Sequence, residues 1–411
     1  MADIKAFRAL RPSPALAGRV AALPYDVMNE AEAREMLRKE PLSFVALDRP
    51  ETLFPEGTVS SSSPEVYKRA AERLCEMKRD GILIKDDEEA VYIYREKDGA
   101  HVQTGAAALL KVEDYLSSKI KKHELTRPDK EDDRVRHIEA LGAHTGPIFI
   151  MYRHSSAVRD VMERQTAKEP LYSFTDERGV ENTVWRLTGK DKDELIDAFG
   201  GVDALYIADG HHRNAAAVRV ALSEKERTGS FGESGSYLAV MVPDDEVEIL
   251  DYNRVLSTLG GHSPQEILSL LKKDFRVEER PSAEAARPLR KHSFAMYMDS
   301  KWYSLECAVE VPSDPIESLD VSILEKKVLL PVFGITDERS DPSIDFVGGG
   351  RGPGELERRV DEGEALCAFR LYPTLAGDIM DVADAGGIMP PKSTWFEPKL
   401  LSGILIHEFR D

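Results

Sequence analysis

Between an apolar strand and an Ala-rich stretch, the run Tyr206-Ile207-Ala208-Asp209-Gly210-His211-His212-Arg213 gathers a carboxylate, two imidazoles and a guanidinium within five residues. Leu205 to Ala208 reads as a short buried strand, Gly210 permits a tight turn, and Asn214 to Leu222 reads as a helix. A helix start offers unpaired backbone N–H groups and the positive end of a dipole, so Arg213 and the two histidines would meet an anion there, and phosphate is the natural guest. The plainer alternative is a turn whose Asp209 caps the helix and whose histidines satisfy local backbone groups. Two more clusters carry chemistry. Leu23-Pro24-Tyr25-Asp26-Val27 sets an acid beside a rigid Pro-Tyr pair, although alone it reads as a turn. His123-Glu124-Leu125-Thr126, followed by Arg134, joins an acid/base pair to a cation, in a segment that also reads as a solvated charged loop. A metalloprotease helix is excluded, because Arg127 stands where the second His of His-Glu-x-x-His belongs. Pro390-Pro391-Lys392-Ser393-Thr394 ends like a phosphate loop, but two prolines remove the backbone donors such a loop needs. Gly348 to Gly354 is Gly-rich without the Lys-Ser/Thr ending, and reads as a flexible turn before a phosphate site.

The elements that must position these residues are mixed. Asn29 caps a helix to about Lys39, and Pro64 opens one to about Arg79 with Val66, Ala70, Leu74 and Met77 on one face. Strands are expected at 82–84, 91–94 and 101–110, the last two joined as a hairpin through Lys97-Asp98-Gly99. More follow at 147–152, 183–187, 205–208, 236–242 and 247–251, with helices at 155–167 and 191–199. Beyond Gly260 come helices at 263–273 and 319–329, a hairpin through Asp299-Ser300, and strand-helix-strand units ending with Leu400 to Phe409. The expected fold class is therefore mixed α/β, mixed sheets flanked by helices around a strand-turn-helix phosphate site. The expected regions are 1–144, contributing pocket residues, 145–260, holding the phosphate motif, and 261–411, closing the pocket.

With 411 residues, 42% of them hydrophobic and 31% charged, the chain has room for two or three domains. Its net charge of −19, from 74 acidic against 55 basic residues, argues against nucleic acid as a partner, and with it against a nuclease. No stretch approaches a membrane span, and the N-terminus lacks a signal-peptide pattern, so the expected compartment is the cytoplasm. Cys75, Cys307 and Cys367 are too few and scattered for a disulfide framework or a thiolate metal site.

Five blocks together resemble domain-of-unknown-function family ten-fifteen: Phe7 to Pro12, Pro24-Tyr25-Asp26-Val27, His123-Glu124-x-Thr126 with Arg134, Asp209-Gly210-His211-His212-Arg213, and Met389 to Thr394 with Pro398-Lys399 and Ser402-Gly403. The fourth block is similar to the phosphate-binding box of the ParB and sulfiredoxin superfamily, which includes free-serine kinases. That resemblance implies an enzyme, a nucleotide-dependent phosphotransferase moving phosphate from ATP or ADP, with Mg²⁺, to the hydroxyl of a free amino acid such as L-serine. It implies Asp209, Glu124 and His123 as catalytic, Asp209 also as a Mg²⁺ ligand, and Gly210, His211, His212 and Arg213 as the phosphate cradle. Tyr25, Asp26, Thr126, Arg134, Lys392, Ser393 and Thr394 would hold the ammonium, carboxylate and hydroxyl of the acceptor. Whether Asp209 or Glu124 is the base stays open at this point. The alternative within the same superfamily is a nucleotide-binding switch that modifies no metabolite.

Overall fold

The computed structural model describes residues 3–410. Two compact units divide the chain: Met1–Val247 together with Pro398–Asp411, and Glu248–Glu397. The first therefore takes in both the 1–144 stretch and the signature run, and the C-terminal tail rejoins it. The expected mixed α/β class is what the chain adopts, with mixed sheets flanked by helices.

In the larger unit the main sheet runs in the order 120–121, 205–209, 148–152, 236–243, 101–111, 91–98, 181–187, 172–175, with Ile4–Lys5 added to 101–111. Leu205–Asp209 lies parallel to Ile120–Lys121 and Ile148–Tyr152 parallel to Ser236–Pro243, while the other pairs are antiparallel. The hairpin expected through residues 97–99 is present, closing with Asp98 opposite His101. Strands at the centre, such as Ser236–Pro243, are buried on both faces and so read as continuous apolar runs. One face packs through Val91, Ile93, Ile150, Leu205, Ile207, Ala217 and Met241. A second core gathers Leu10, Val20, Phe44, Leu74, Met77 and Ile406 beneath the N-terminal helices.

Several helices match their sequence signals. Asn29 accepts from the Glu32 N–H at the head of Glu30–Lys39, with the Glu32 side chain returning to the Asn29 N–H, a full capping box. Pro64–Arg79 begins on its proline and buries Val66, Ala70, Leu74 and Met77. Residues 128–141 depart from the charged-loop reading: Pro128–Leu141 is a helix, opened by proline at its first turn and closed by Gly142 at φ 60°. The C-terminal tail also differs from the expectation of regular elements. It keeps only the two-residue strand His407–Glu408, with single bridges from Ser402 to Ala22 and from Ile406 to Leu10.

Gly403 in that tail sits at φ +79°, and a Cβ there would lie 2.5 Å from Phe44 Cγ. Left-handed backbone strain and overpacking against a fully buried ring act together, so Gly403→Ala is expected to cost about 3 kcal/mol. Urea denaturation checks this, and an unchanged midpoint would refute it.

The smaller unit holds a six-stranded antiparallel sheet in the order 275–280, 301–307, 293–298, 367–371, 252–256, 344–348, and a ribbon pairing Glu248–Leu250 with Trp395–Glu397. Val255, Tyr297, Trp302, Leu356 and Ala368 belong to its core. Among the described residues no helix is long and apolar enough to cross a membrane.

Candidate functional site

The strand Leu205–Asp209 carries a register shift between Ile207 and Asp209 against Ile148–Tyr152, so the chain bends as it leaves the sheet. Such a bulge re-aims the next side chain, here Asp209. Gly210 follows at φ 90°, ψ 28°, a left-handed conformation that favours glycine, and the helix His211–Thr228 begins at once. Its start lies three residues before the expected Asn214. The two histidines and Arg213 thus form the first helical turn, whose N–H groups have no intrahelical acceptor.

Asp209 is tied on both oxygens. Oδ1 accepts from the Gly210 N–H at 2.7 Å, and Oδ2 meets Lys399 Nζ at 2.9 Å. Burial works against its charge, yet Lys399 and then Arg213 hold the carboxyl well below the usual carboxylate range. This donor set does not fit a protein-held Mg²⁺, which wants several uncommitted oxygens; the expected ligation by Asp209 would require Lys399 to withdraw. Lys399 was visible in the sequence only as part of the Pro398-Lys399 block. The tail that carries it is pinned by Ser402 to Ala22 backbone hydrogen bonds.

Arg213 donates from Nη1 to the Pro147 carbonyl at 3.0 Å. Gly146 leaves room for this: a Cβ there would lie 2.9 Å from that same nitrogen. Arg213 shares a small cavity with Tyr25, Arg134, Thr145, Gly146 and Ser402, about 30 Å³ in volume and enough for one water. Arg134, buried on the helix Pro128–Leu141, donates twice to Asp133 Oδ2, at 2.9 and 2.6 Å, and lies 3.9 Å over the Tyr25 ring. Burial pushes the Tyr25 phenol up to about 12, with Arg134 pulling the other way. The structure thus brings Tyr25 and Arg134 together with Arg213, although they lie far apart in the chain.

The histidines have separate duties. His212 Nε2 accepts from the Arg127 N–H at 3.0 Å, at the entry to the helix Pro128–Leu141, which assigns its proton to Nδ1. Its imidazole is held below the ordinary range, chiefly by burial, with Asp26 pulling upward, so Asp26 faces this edge of the site. His211 is buried and turns inward: its Nδ1 is 3.6 Å from Glu124 Oε2, and its ring meets that of His123 edge-on at 4.5 Å. Burial brings His123 down to about 4 and His211 well below its ordinary value, with His123 adding to the latter. The side chain of His211 is therefore directed to His123 and Glu124, and its backbone N–H is one of the first-turn groups without an intrahelical acceptor. Thr126 donates to Glu131 Oε2 at 2.9 Å, which ties its hydroxyl to the first turns of the helix Pro128–Leu141.

Lys392, Ser393 and Thr394 belong to the smaller unit. Lys392 sits at φ 57° with Nζ 5.5 Å from the centre of the Tyr252 ring, and Ser393 donates to the Pro390 carbonyl at 2.6 Å. Thr394 is half-buried beside them.

Comparison with known proteins places the chain in a family. No curated protein matches the chain. Among solved structures it is similar to a free serine kinase mutant in complex with AMP, at 16% identity over 74% of this chain and 91% of that chain, with a TM-score of 0.36. It is similar to a conserved hypothetical protein from Pyrococcus furiosus, at 15% identity over 73% and 95%, with a TM-score of 0.33. SbnI with a C-terminal truncation from Staphylococcus aureus matches at 13% identity over 73% and 87%, with a TM-score of 0.35. Residues 4–322 match the family described as a protein of unknown function (DUF1015), and the chain belongs to that family.

Proposed function

We propose that this protein transfers a phosphoryl group from a nucleotide, ATP or ADP entering as its Mg²⁺ complex, to the hydroxyl of a small free amino acid such as L-serine. The observation that carries the reading is the meeting of a cation-held carboxylate, a second carboxylate and an arginine at one helix start: Asp209 with Lys399, Glu124, and Arg213. Phosphoryl transfer asks for little covalent chemistry and much positioning of charge, and this set supports that. The backbone N–H groups of residues 210–213 and the Arg213 guanidinium would cradle phosphate oxygens. Lys399, fixed by Asp209, would neutralise charge that develops on the transferred group.

Asp209 stays ionised over the whole working pH range and is a poor proton acceptor; Glu124 takes the hydroxyl proton in this reading. The acceptor oxygen then forms its bond to phosphorus as the bond to the leaving nucleotide oxygen breaks, and that oxygen departs with the leaving electron pair. Asp26 suits the amino acid's ammonium, and Arg134 and Tyr25 suit its carboxylate.

Phosphorus NMR with Mg²⁺ and ATP, ADP or CTP, with and without L-serine, tests the activity. A serine-dependent phosphomonoester signal is expected; nucleotide bound without such a product would favour a binding switch over a kinase. Arg213→Ala is expected to raise the nucleotide Kd by about 10-fold, or about 1.4 kcal/mol. Calorimetry returning an unchanged Kd would remove Arg213 from the cradle.

A further inference from the structure

We propose that His123, Glu124 and His211 form a binding site for a borderline divalent cation of the Zn²⁺ or Co²⁺ type. One ligand atom from each of the three lies within 4.8 Å of the other two. His123 and His211 are 2% and 5% exposed, and their rings stand at 88° to each other. Neither ring nitrogen of His123 completes a hydrogen bond of sound geometry, nor does Nε2 of His211. Buried imidazole nitrogens without partners are costly, and a cation supplies the missing partner.

The donor types decide the class of ion. Two imidazoles and one carboxylate suit Zn²⁺ or Co²⁺, whereas Mg²⁺ and Ca²⁺ take oxygen shells. Around an ion at about 2.0–2.1 Å, tetrahedral donors sit roughly 3.4 Å apart. Nδ1 of His211 lies 3.6 Å from Glu124 Oε2, close to that spacing, so this nitrogen would face the ion, and the partner that the ion supplies is the one His123 lacks. The Ile207 backbone approaches the His123 ring without completing a hydrogen bond, the kind of outer neighbour that orients a ligating imidazole. Three protein ligands leave a coordination position open, and the Glu124 side chain, 45% exposed, marks the way in.

Cation binding here stands apart from the phosphotransfer reading, because it needs no nucleotide. It also bears on that reading: a carboxylate that ligates the cation is a weaker base, so occupancy and proton transfer by Glu124 exclude each other. Untagged, chelator-treated full-length protein without nucleotide would be titrated with Zn²⁺ by calorimetry and with Co²⁺ by visible absorption. The expected result is uptake of one ion per chain, resistant to a large excess of Mg²⁺, with intense Co²⁺ bands of low coordination number. Glu124→Gln, half exposed and so compatible with folding, is expected to weaken uptake by about 10-fold or more. His123→Ala, checked for folding by circular dichroism, is expected to abolish it. Absence of one-to-one uptake by the unsubstituted chain, or uptake indifferent to Glu124→Gln, would overturn the site, whatever the phosphotransfer assay returns.

Discussion

Asp209→Asn is expected to lower serine-dependent phosphotransfer by about 10³-fold while nucleotide affinity stays equal or improves. The amide matches the carboxylate in size, and its oxygen can still accept from the Gly210 N–H, so the turn keeps its shape. The other end changes sign. Where Oδ2 accepted from Lys399 at 2.9 Å, an NH₂ group would now face an ammonium, donor against donor, and Lys399 would swing away. A cation lost from its place weakens the neutralisation of charge that builds on the phosphoryl oxygens, which is felt in the transition state more than in binding. Removing an anion beside a polyphosphate also relieves repulsion, hence the equal or tighter Kd. Lys399→Met should reproduce the rate loss with weaker nucleotide binding, a contrast that a general collapse of the pocket would not give. Rates from the phosphorus assay and Kd from calorimetry decide it. Full turnover in Asp209→Asn, or a rate loss matched by an equal loss of binding, would remove Asp209 from the role of positioning Lys399.

How much of this was legible follows from what each signal encodes. The strand Leu205–Asp209 and the turn at Gly210 could be read directly, because apolar run and glycine are local features. The earlier helix start at His211 could not, because His-His-Arg carries no strong helix preference and the start is set by Gly210 in the left-handed region. The helix Pro128–Leu141 hid in its own charge. Its buried face includes Arg134 and His137, satisfied by Asp133 and by the Leu47 carbonyl at 2.7 Å, so an apolar stripe was never complete. Periodicity of hydrophobic residues cannot show a polar residue whose partner lies elsewhere in the chain. Lys399 was legible as a block and not as a partner of Asp209, since 190 residues separate them. The inward turn of His211 needed coordinates too: two adjacent histidines on a helix point about 100° apart, and sequence alone does not say which one faces the core.

The larger unit is expected to be most stable near pH 7 and to lose stability steeply between pH 6.5 and 4.5. Five buried histidines set the acid side. Burial lowers His123 and His137 to about 4, with Arg134 pressing further on His137, and lowers His144 to about 3. His407, whose Nδ1 lies 3.1 Å from that of His144, and His211 move the same way. In the unfolded chain each histidine takes up a proton near pH 6.5, which the folded protein refuses until about pH 4. The unfolded state then binds more protons, and stability falls as pH drops, by about 1.4 kcal/mol per pH unit for each group. Glu96 acts with the opposite sign. Fully buried, it is raised to about 8, with Gln103 and Tyr94 pulling back, so its folded form holds a proton that the unfolded chain releases above about pH 4.5. Its contribution is whole below that value and disappears as pH rises through 8, which offsets one histidine on the acid side and makes the alkaline side fall. His123, His137 and His144 less the one offset leave about two groups and a slope of about 3 kcal/mol per pH unit, to which His407 and His211 add, large against the roughly 5–15 kcal/mol that hold a domain together. Urea denaturation of the full-length chain at pH 8, 7, 6 and 5 measures it, with the larger unit followed by protease protection of residues 91–111. Glu96→Gln should flatten the alkaline limb and steepen the acid limb by about 1.4 kcal/mol per pH unit, because the offset of one histidine is lost. A free energy of unfolding that stayed level from pH 7 to 5 would mean that these imidazoles are already solvated in the folded protein, and the buried cluster of His123 and His211 would go with them.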